Sequence, residues 1–214
     1  MTDQQDDPAA LSRRAWQEYH RGAFRAALAG FAAALDAGPD DYGAVHGSGR
    51  CRRMLGDYES AAADFSRAAV LRPGTAQPLC ERGAIRILQH RYAEALADYI
   101  AAQRAEPDYP GLRSYVAELY LYTGRAAEAL TLSRDALRDE PGNLMHEINI
   151  AHALLLLGRT TEALAAYSRL AASYHPGKER TGRELVLADL ELMRAARIEP
   201  AGAALVPAAL QQIR

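Results

Sequence analysis

Apolar and small residues recur along this chain with a spacing of 34 positions. The clearest copy of the pattern is the stretch from Gly56 to Pro73. Prolines, alanines and aromatic residues superimpose when the chain is shifted by one period: Pro39, Pro73, Pro107 and Pro141; Ala27, Ala61, Ala95, Ala129 and Ala163; Phe31, Phe65, Tyr99 and Tyr167, with Ser133 as the exception. A period of this length, sustained over most of a chain, predicts an all-α array of helical hairpins.

The period divides the chain into five predicted hairpins, each with a first helix before its turn and a second helix after it. These hairpins are expected over residues 8–41, 42–75, 76–109, 110–143 and 144–176. Each turn is expected at a glycine, except in the third hairpin, where His90 stands. We expect residues 1–7 to form a disordered tail. Residues 177–214 are predicted to form a capping helix and a short terminal helix, because repeat arrays need a different ending.

Polar residues in front of several first helices are predicted N-caps, namely Asp41, Thr75 and Asn143. After residue 176 the period is lost, and the apolar spacing predicts one longer helix from Arg183 to Ile198. Pro200 is expected to end that helix.

Composition narrows the possible settings of the protein. The formal net charge of -2 disfavours nucleic acid and anionic membranes as partners. The two cysteines, Cys51 and Cys80, are too few for a disulfide framework and favour a reducing compartment. The acidic N-terminal positions lack the pattern of a secretory signal, and no apolar run approaches the ~18 residues of a membrane span. We therefore expect a soluble, cytoplasmic protein, and the richness in Ala, Arg and Leu is typical of bacterial sequences.

The pattern resembles the tetratricopeptide repeat family over about residues 8 to 176. That family has a small residue on the first helix, glycine at the turn, and alanine, an aromatic residue and alanine on the second helix, followed by proline. The small first-helix residues here are Ala15, Gly49, Gly83, Ala117 and Ala151. The later alanines are Ala34, Ala68, Ala102 and Ala136, with Leu170 departing from the pattern. The resemblance implies a right-handed superhelical solenoid whose first helices line a concave groove that binds a peptide or partner protein.

Counting helical faces on the first helices gives the side chains expected to line this groove. The candidate partner-binding residues are Trp16, His46, Arg50, Arg53, Tyr115, Glu118, Tyr122, Asn149 and His152. Aromatic rings can anchor apolar side chains, and arginines can hold a carboxylate or a phosphate. The alternative for Trp16 is that it only shields the exposed end of the first hairpin. Some family members grip acidic chaperone tails with a clamp of basic and amide residues. Ser12, Trp16, His46 and Arg50 occupy the early groove positions here, so that clamp is not expected.

Charged residues also occur at positions where the family usually has apolar ones. Arg52, Arg82 and Arg86 are predicted to pair with Asp64 and Asp98, linking successive hairpins, with Asp64 to Arg82 as the leading candidate. In the last two hairpins the matching positions are apolar, so we expect fewer charges in their core. The residues concerned are Val116, Tyr120, Ile150 and Leu154.

The sequence offers no motif for catalysis or for a cofactor. His146 and His152 are six positions apart, whereas two zinc-binding histidines on a helix need a spacing of four. The stretch from Gly47 to Gly49 has neither the preceding strand nor the following Lys-Ser pair of a phosphate loop. We therefore predict a non-enzymatic scaffold or adaptor that binds a protein segment, without cofactor or metal. The alternative is a module that self-assembles through its terminal helix or its Ala-rich outer faces.

Overall fold

The computed structural model describes residues 7–172, 182–198 and 202–211, and the regular elements within these ranges are all helical. The expected all-α solenoid of helical hairpins is confirmed as the fold class. The α-helices are α1 (Pro8–His20), α2 (Phe24–Ala37), α3 (Tyr42–Met54), α4 (Tyr58–Leu71), α5 (Gln77–Leu88), α6 (Tyr92–Ala105), α7 (Leu112–Tyr122), α8 (Ala126–Asp139), α9 (Leu144–Leu156), α10 (Thr160–Ala172), α11 (Gly182–Ala195) and α12 (Val206–Gln211). A single 3₁₀ turn, Ala203–Leu205, precedes α12 in the described ranges.

The chain forms two compact units, Met1–Tyr109 and Pro110–Arg214, here called unit 1 and unit 2. In unit 1, α1 to α6 form three hairpins, and each helix contacts the next one along the chain. In unit 2, α7 contacts α8 and α9, and α9 contacts α10. Helix α10 also contacts α11 and α12, so the C-terminal helices pack against the last hairpin of that unit.

Backbone conformation at the hairpin turns explains why glycine recurs there. Gly22, Gly56, Gly124 and Gly158 have φ between 74° and 82°, in the left-handed region that only glycine adopts at little cost. His90 adopts the same conformation with φ 57°, and its Nδ1 is 2.8 Å from the hydroxyl of Tyr92. The third hairpin therefore keeps the geometry of the others without the glycine.

Two of the three predicted N-caps are confirmed. Asp41 accepts a hydrogen bond from the backbone N–H of Ala44 at 2.8 Å, and Asn143 accepts one from Met145 at 3.1 Å. The prediction for Thr75 is wrong, because its hydroxyl donates to the carbonyl of Arg72 instead. The backbone N–H of Ala76 donates to the carboxylate of Glu106 at 3.1 Å.

The predicted C-terminal helix is shorter than the apolar spacing suggested. Helix α11 ends at Ala195 instead of Ile198, because Arg197 takes a left-handed conformation with φ 60°. The backbone N–H of Ile198 then donates to the carbonyl of Met193 at 2.8 Å, as at many helix C-termini. Residues 1–6 of the predicted tail, residues 173–181 before α11, and Pro200 lie outside the described ranges, as do the side chains of Arg183 and Leu185.

Close contact between a glycine of a first helix and an aromatic ring of a second helix holds unit 1 together. Phe31, Phe65 and Tyr99 are buried. A Cβ added at Gly47 would lie 2.3 Å from the Cζ of Phe31, and one at Gly83 would lie 2.7 Å from the Tyr99 ring. Both separations are far below van der Waals contact. The rings occupy the space that a side chain would otherwise take.

Replacing Gly47 with alanine is expected to lower the free energy of unfolding by about 1–3 kcal/mol, because the new methyl group overlaps the fully buried Phe31 ring. Alanine's better helix propensity, worth about 1 kcal/mol, offsets only part of this cost. Denaturant unfolding followed by circular dichroism measures the difference. Gly74→Ala is the matched control, since nothing lies within 4 Å of its added Cβ. Equal stability of the two variants would contradict the packing explanation.

The four apolar positions of unit 2 pack in or against its core, which also contains the buried polar residues Ser114, His146, Asn149 and His152. Val116 and Leu154 are buried, while Tyr120 and Ile150 are partly buried against the same core. Ser133 occupies the place of the missing aromatic residue; it is fully buried, and its hydroxyl has no hydrogen-bond partner.

Candidate partner-binding site

In unit 1, the side chain of Arg50 connects three first helices. Its guanidinium carbon lies 4.9 Å from the ring centre of Tyr19 and 5.8 Å from that of Trp16, both on α1. Its Nε lies 3.7 Å from a carboxylate oxygen of Glu81 on α5. Arg53 approaches the other oxygen of Glu81 at 3.5 Å. We call these five residues the Arg50 face.

The Arg50 face contains more positive than negative charge and unused hydrogen-bond donors. Two guanidiniums share the single carboxylate of Glu81 at distances longer than hydrogen bonds. The Nε atoms of Arg50 and Arg53 are buried and have no hydrogen-bond partner. The side chains of both arginines are still about 30% exposed (29% and 30%). An incoming carboxylate could therefore pair with the exposed part of these two side chains, whose charge Glu81 balances only in part.

Apolar surface is present on the same first helices. Met54 at the end of α3 is 49% exposed, and Leu88 at the end of α5 is 57% exposed. They stand one period apart in the sequence. Unit 1 thus offers two exposed apolar side chains on the helices that carry Arg50, Arg53 and Glu81.

Trp16 both packs in unit 1 and contributes to the Arg50 face. Its ring meets Phe31 edge-on at 5.2 Å and Tyr19 at 5.3 Å. The side chain is partly buried against the hydrophobic core around Phe31. The same ring supports the guanidinium of Arg50. The packing role and the partner-binding role proposed for Trp16 are therefore compatible.

His46 is a buried packing residue rather than an exposed one. Its ring stacks on Tyr42 at 5.6 Å, close to the rings of Trp16 and Phe65, and the residue is 4% exposed. Burial, with a smaller effect from Arg50, lowers the pKa of His46 to about 4. The imidazole is therefore neutral near pH 7 and does not add to the positive charge of the Arg50 face.

In unit 2, the predicted site residues have different surroundings. Tyr115 is 46% exposed. Glu118, Tyr122, Asn149 and His152 line one small cavity together with residues of α11. Asn149 and His152 are each 2% exposed, so they present almost no surface to a partner in this structure.

Asn149 has a structural partner. Its side-chain amide donates to the backbone carbonyl of Ser114 at 3.0 Å, which ties α9 to α7. The Ser114 hydroxyl is also 3.4 Å from Nδ1 of His146, one helical turn earlier on α9. A face count within one helix could not reveal these contacts with the neighbouring hairpin.

The predicted ion pairs form, but within hairpins and not between them. Asp64 is 2.5 Å from Arg52 of its own hairpin, and the proposed pair between Asp64 and Arg82 is wrong. Asp98 accepts from Arg82 at 2.5 Å and from Arg86 at 2.6 Å, again within one hairpin. Among the charged groups predicted to pair, Arg82 also reaches the preceding hairpin, through a hydrogen bond to the Ser66 hydroxyl that is 2.8 Å long.

Asp98→Asn is expected to lower the free energy of unfolding by about 3 kcal/mol, because the carboxylate is 3% exposed and serves two arginines. Asp64→Asn is the matched variant in the preceding hairpin. It should cost less, because Asp64 has one arginine partner and a side chain that is 16% exposed. Denaturant unfolding of both variants measures the two losses of unfolding free energy. A larger loss for Asp64→Asn than for Asp98→Asn would contradict this explanation.

Three residues important to the sites were not among the predicted ones. These are Tyr19 and Glu81 of the Arg50 face, and Asp189 of α11. Asp189 was missed, although it lies three residues after Val186 and four before Met193, on the apolar face of α11. A lone carboxylate on an apolar face was the available signal.

No metal-binding centre emerges from the parts of the chain that the structure describes. Those parts contain no group of three His, Cys, Asp or Glu side chains able to hold a metal ion. Burial raises the pKa of Cys51 to about 11 and that of Cys80 to about 12, which disfavours a reactive thiolate. Within the same described ranges, no helix is long and apolar enough to cross a membrane.

Consecutive helical hairpins, glycine turns and small residues packed under aromatic rings define a helical-repeat protein. The chain belongs to the tetratricopeptide repeat family, whose model (Tetratricopeptide repeat) matches residues 9–76 and 117–177, more than half of the sequence. The resemblance inferred from the 34-residue period is thereby confirmed. No curated protein sequence matches the chain.

Several solved structures share the fold. YrrB, described as a TPR protein with an unusual peptide-binding site, is 16% identical with a TM-score of 0.69, covering 91% of this chain and 93% of YrrB. MamA is 15% identical with a TM-score of 0.68, covering 88% of this chain and 94% of MamA. PilF of Pseudomonas aeruginosa is 19% identical with a TM-score of 0.65, covering 96% of this chain and 90% of PilF. At these identities the likeness establishes the fold alone.

Proposed function

We propose that the protein is a non-enzymatic scaffold that binds a peptide segment of a partner protein on the Arg50 face of unit 1. The observation that carries the proposal is the pair of partly exposed guanidiniums, Arg50 and Arg53, which share the single carboxylate of Glu81. One carboxylate balances only one of the two positive charges, and a ligand carboxylate at the exposed part of these side chains would balance the other. Similarity to YrrB, a TPR protein with a peptide-binding site, supports the same class of ligand.

The surroundings indicate the chemistry of the peptide. A carboxylate would lie between Arg50 and Arg53, and a neighbouring apolar side chain would contact the exposed Met54 or Leu88. The rings of Trp16 and Tyr19 already hold Arg50 in place, so little conformational entropy is lost when the ligand binds. We therefore propose a peptide with an acidic residue next to an apolar one, in a cytoplasmic partner.

The test is selection from a library of random twelve-residue peptides, followed by affinity measurement. Trp16 is the only tryptophan of the chain, so its fluorescence reports binding at the Arg50 face directly. Arg50→Glu should weaken the selected peptides at least tenfold, about 1.4 kcal/mol, through loss of a donor and added repulsion. The selected peptides should contain the acidic and apolar pair.

Two further variants make this test decisive. Arg53→Gln removes one charge without adding repulsion and should weaken binding in the same direction. Arg25→Glu is the control, because Arg25 is exposed on the second helix α2, away from the Arg50 face. Thermal melts check that each variant is folded. Peptides that bind Arg50→Glu as tightly as the natural chain would rule out this surface.

A second candidate function, self-assembly, is favoured by apolar surface at the C-terminal end of unit 2. Leu192 and Leu205 are each 54% exposed. A cavity of about 310 Å³ opens between α11 and the segment before α12, and its lining includes Leu187, Leu190 and Ile198. A second copy of the chain would cover this surface.

If copies associate there, Leu192→Glu with Leu205→Glu should reduce the mass measured by light scattering to that of a monomer. The natural chain should show a larger mass that rises with concentration. Val70→Glu is the control, since Val70 on α4 of unit 1 is 78% exposed and apolar as well. A monomeric natural chain at every concentration would exclude self-assembly.

A further inference from the structure

Helix α11 lies against the first helices of unit 2, at positions where the sequence predicted an open groove. Side chains from α7, α9 and α11 line one cavity of about 10 Å³, which is about the size of a single water molecule. Its lining consists of Glu118, Leu121, Tyr122, Asn149, His152, Asp189 and Met193. Met193 of α11 is only 3% exposed. The helix therefore covers the first-helix side chains beneath it.

Two carboxyl groups meet in this cavity without a basic partner. Glu118 comes from α7 and Asp189 from α11, and neither forms an ion pair with any residue in the described ranges. Burial raises the pKa of Glu118 to about 7, and the nearby Asp189 adds to this effect. Burial also raises the pKa of Asp189 to about 6. When both groups are ionised, two negative charges line the same cavity.

The other polar groups around the cavity cannot neutralise that charge. His152 is 2% exposed, and its ring is hydrogen-bonded to the backbone of Ile148, which leaves Nε2 buried without a partner. The Tyr167 hydroxyl on α10 is likewise buried without a partner, and burial with the nearby Asp189 raises its pKa. Tyr122 of α7 completes the titratable groups that line the cavity.

A proton on one carboxyl group would supply what this cluster lacks. An ionised carboxylate only accepts hydrogen bonds, whereas a protonated one also donates. The unpaired Nε2 of neutral His152 is an acceptor that lines the same cavity. One proton therefore removes a buried charge and provides a donor for a buried acceptor.

We propose that the contact of α11 with α7 and α9 is a proton-dependent latch, closed when the pair Glu118 and Asp189 carries a proton and released when both groups ionise. Release exposes Glu118, Tyr122, Asn149 and His152, the first-helix side chains predicted for the groove. The latch belongs to unit 2 and does not depend on peptide binding by the Arg50 face of unit 1.

The direction of the pH effect follows from the raised pKa values of the two acids. The closed state binds the two carboxyl protons more tightly than the released state does, so this pair favours closure most below about pH 4 and loses that effect as the pH rises through about 7. Burial lowers the pKa of His152 to about 4, which gives the opposite trend at lower pH. The released His152 has the ordinary histidine pKa of about 6.5, so below about pH 7 it partly offsets the effect of the carboxyl pair, and above that pH only the carboxyl pair titrates.

Hydrogen exchange of the full chain, read by mass spectrometry and corrected for intrinsic rates, tests the latch. Protection of the α11 amides should fall about fivefold between about pH 6 and pH 8, with the opposing effect of His152 included. Glu118→Gln should abolish most of this fall, because the amide carries no charge at either pH. Asp189→Asn should act in the same direction. Glu191→Gln, at an exposed position of α11, is the matched control and should keep the natural pH dependence.

The amides of α8 provide the internal reference for global opening of unit 2. If they lose protection in parallel with α11, the pH effect is general unfolding and the latch is wrong. The proposal is also overturned if α11 is equally protected at both pH values, or if Glu118→Gln and Asp189→Asn keep the full pH dependence.

Discussion

The close approach of an aromatic ring to a first-helix glycine is the constraint on which unit 1 depends. With Phe31 over Gly47 and Tyr99 over Gly83, the backbones come near enough that no side chain fits between them. That packing fixes the rotation of each first helix about its own axis. The rotation in turn decides which first-helix side chains face the core and which remain on the surface. Arg50, three residues after Gly47, is thereby placed beside the rings of α1.

The two units differ in whether their partly buried carboxylates have arginine partners. In unit 1, the aspartates that recur on the second helices pair with an arginine of the same hairpin, Asp64 with Arg52 and, one period later, Asp98 with Arg86. The third hairpin has a further arginine, Arg82, at the position that Ser48 occupies in the second hairpin. In unit 2, Glu118 and Asp189 are drawn together by the packing of α11 and have no such partner. A partly buried carboxylate without a cation is sensitive to protonation, because no positive charge offsets the cost of burying its ionised form.

The repeat and the residues that build it could be predicted from the sequence because they obey a single period. The turn glycines, the small first-helix residues and the caps Asp41 and Asn143 all depend on contacts close in sequence. The surroundings of the candidate site could not be predicted in this way. Asn149 and His152 fall on the expected helical face, but contacts with Ser114 and with α11 bury them. Helical periodicity shows to which side of its own helix a side chain points. It does not show which other segment of the chain packs on that side.

The ion pairs show the same limit on a smaller scale. Asp64 and Asp98 were rightly expected to have arginine partners, since an unpaired buried carboxylate is costly. The choice of partner depends on which side of the second helix the aspartate occupies. Asp64 and Phe65 both approach Gly49 of their own hairpin, within 3.1 Å and 2.9 Å of the position that a Cβ would take there. Asp64 therefore faces α3, where Arg52 lies, and is directed away from Arg82 on the next hairpin. The glycine that permits close packing within the hairpin thus also decides how its charges pair.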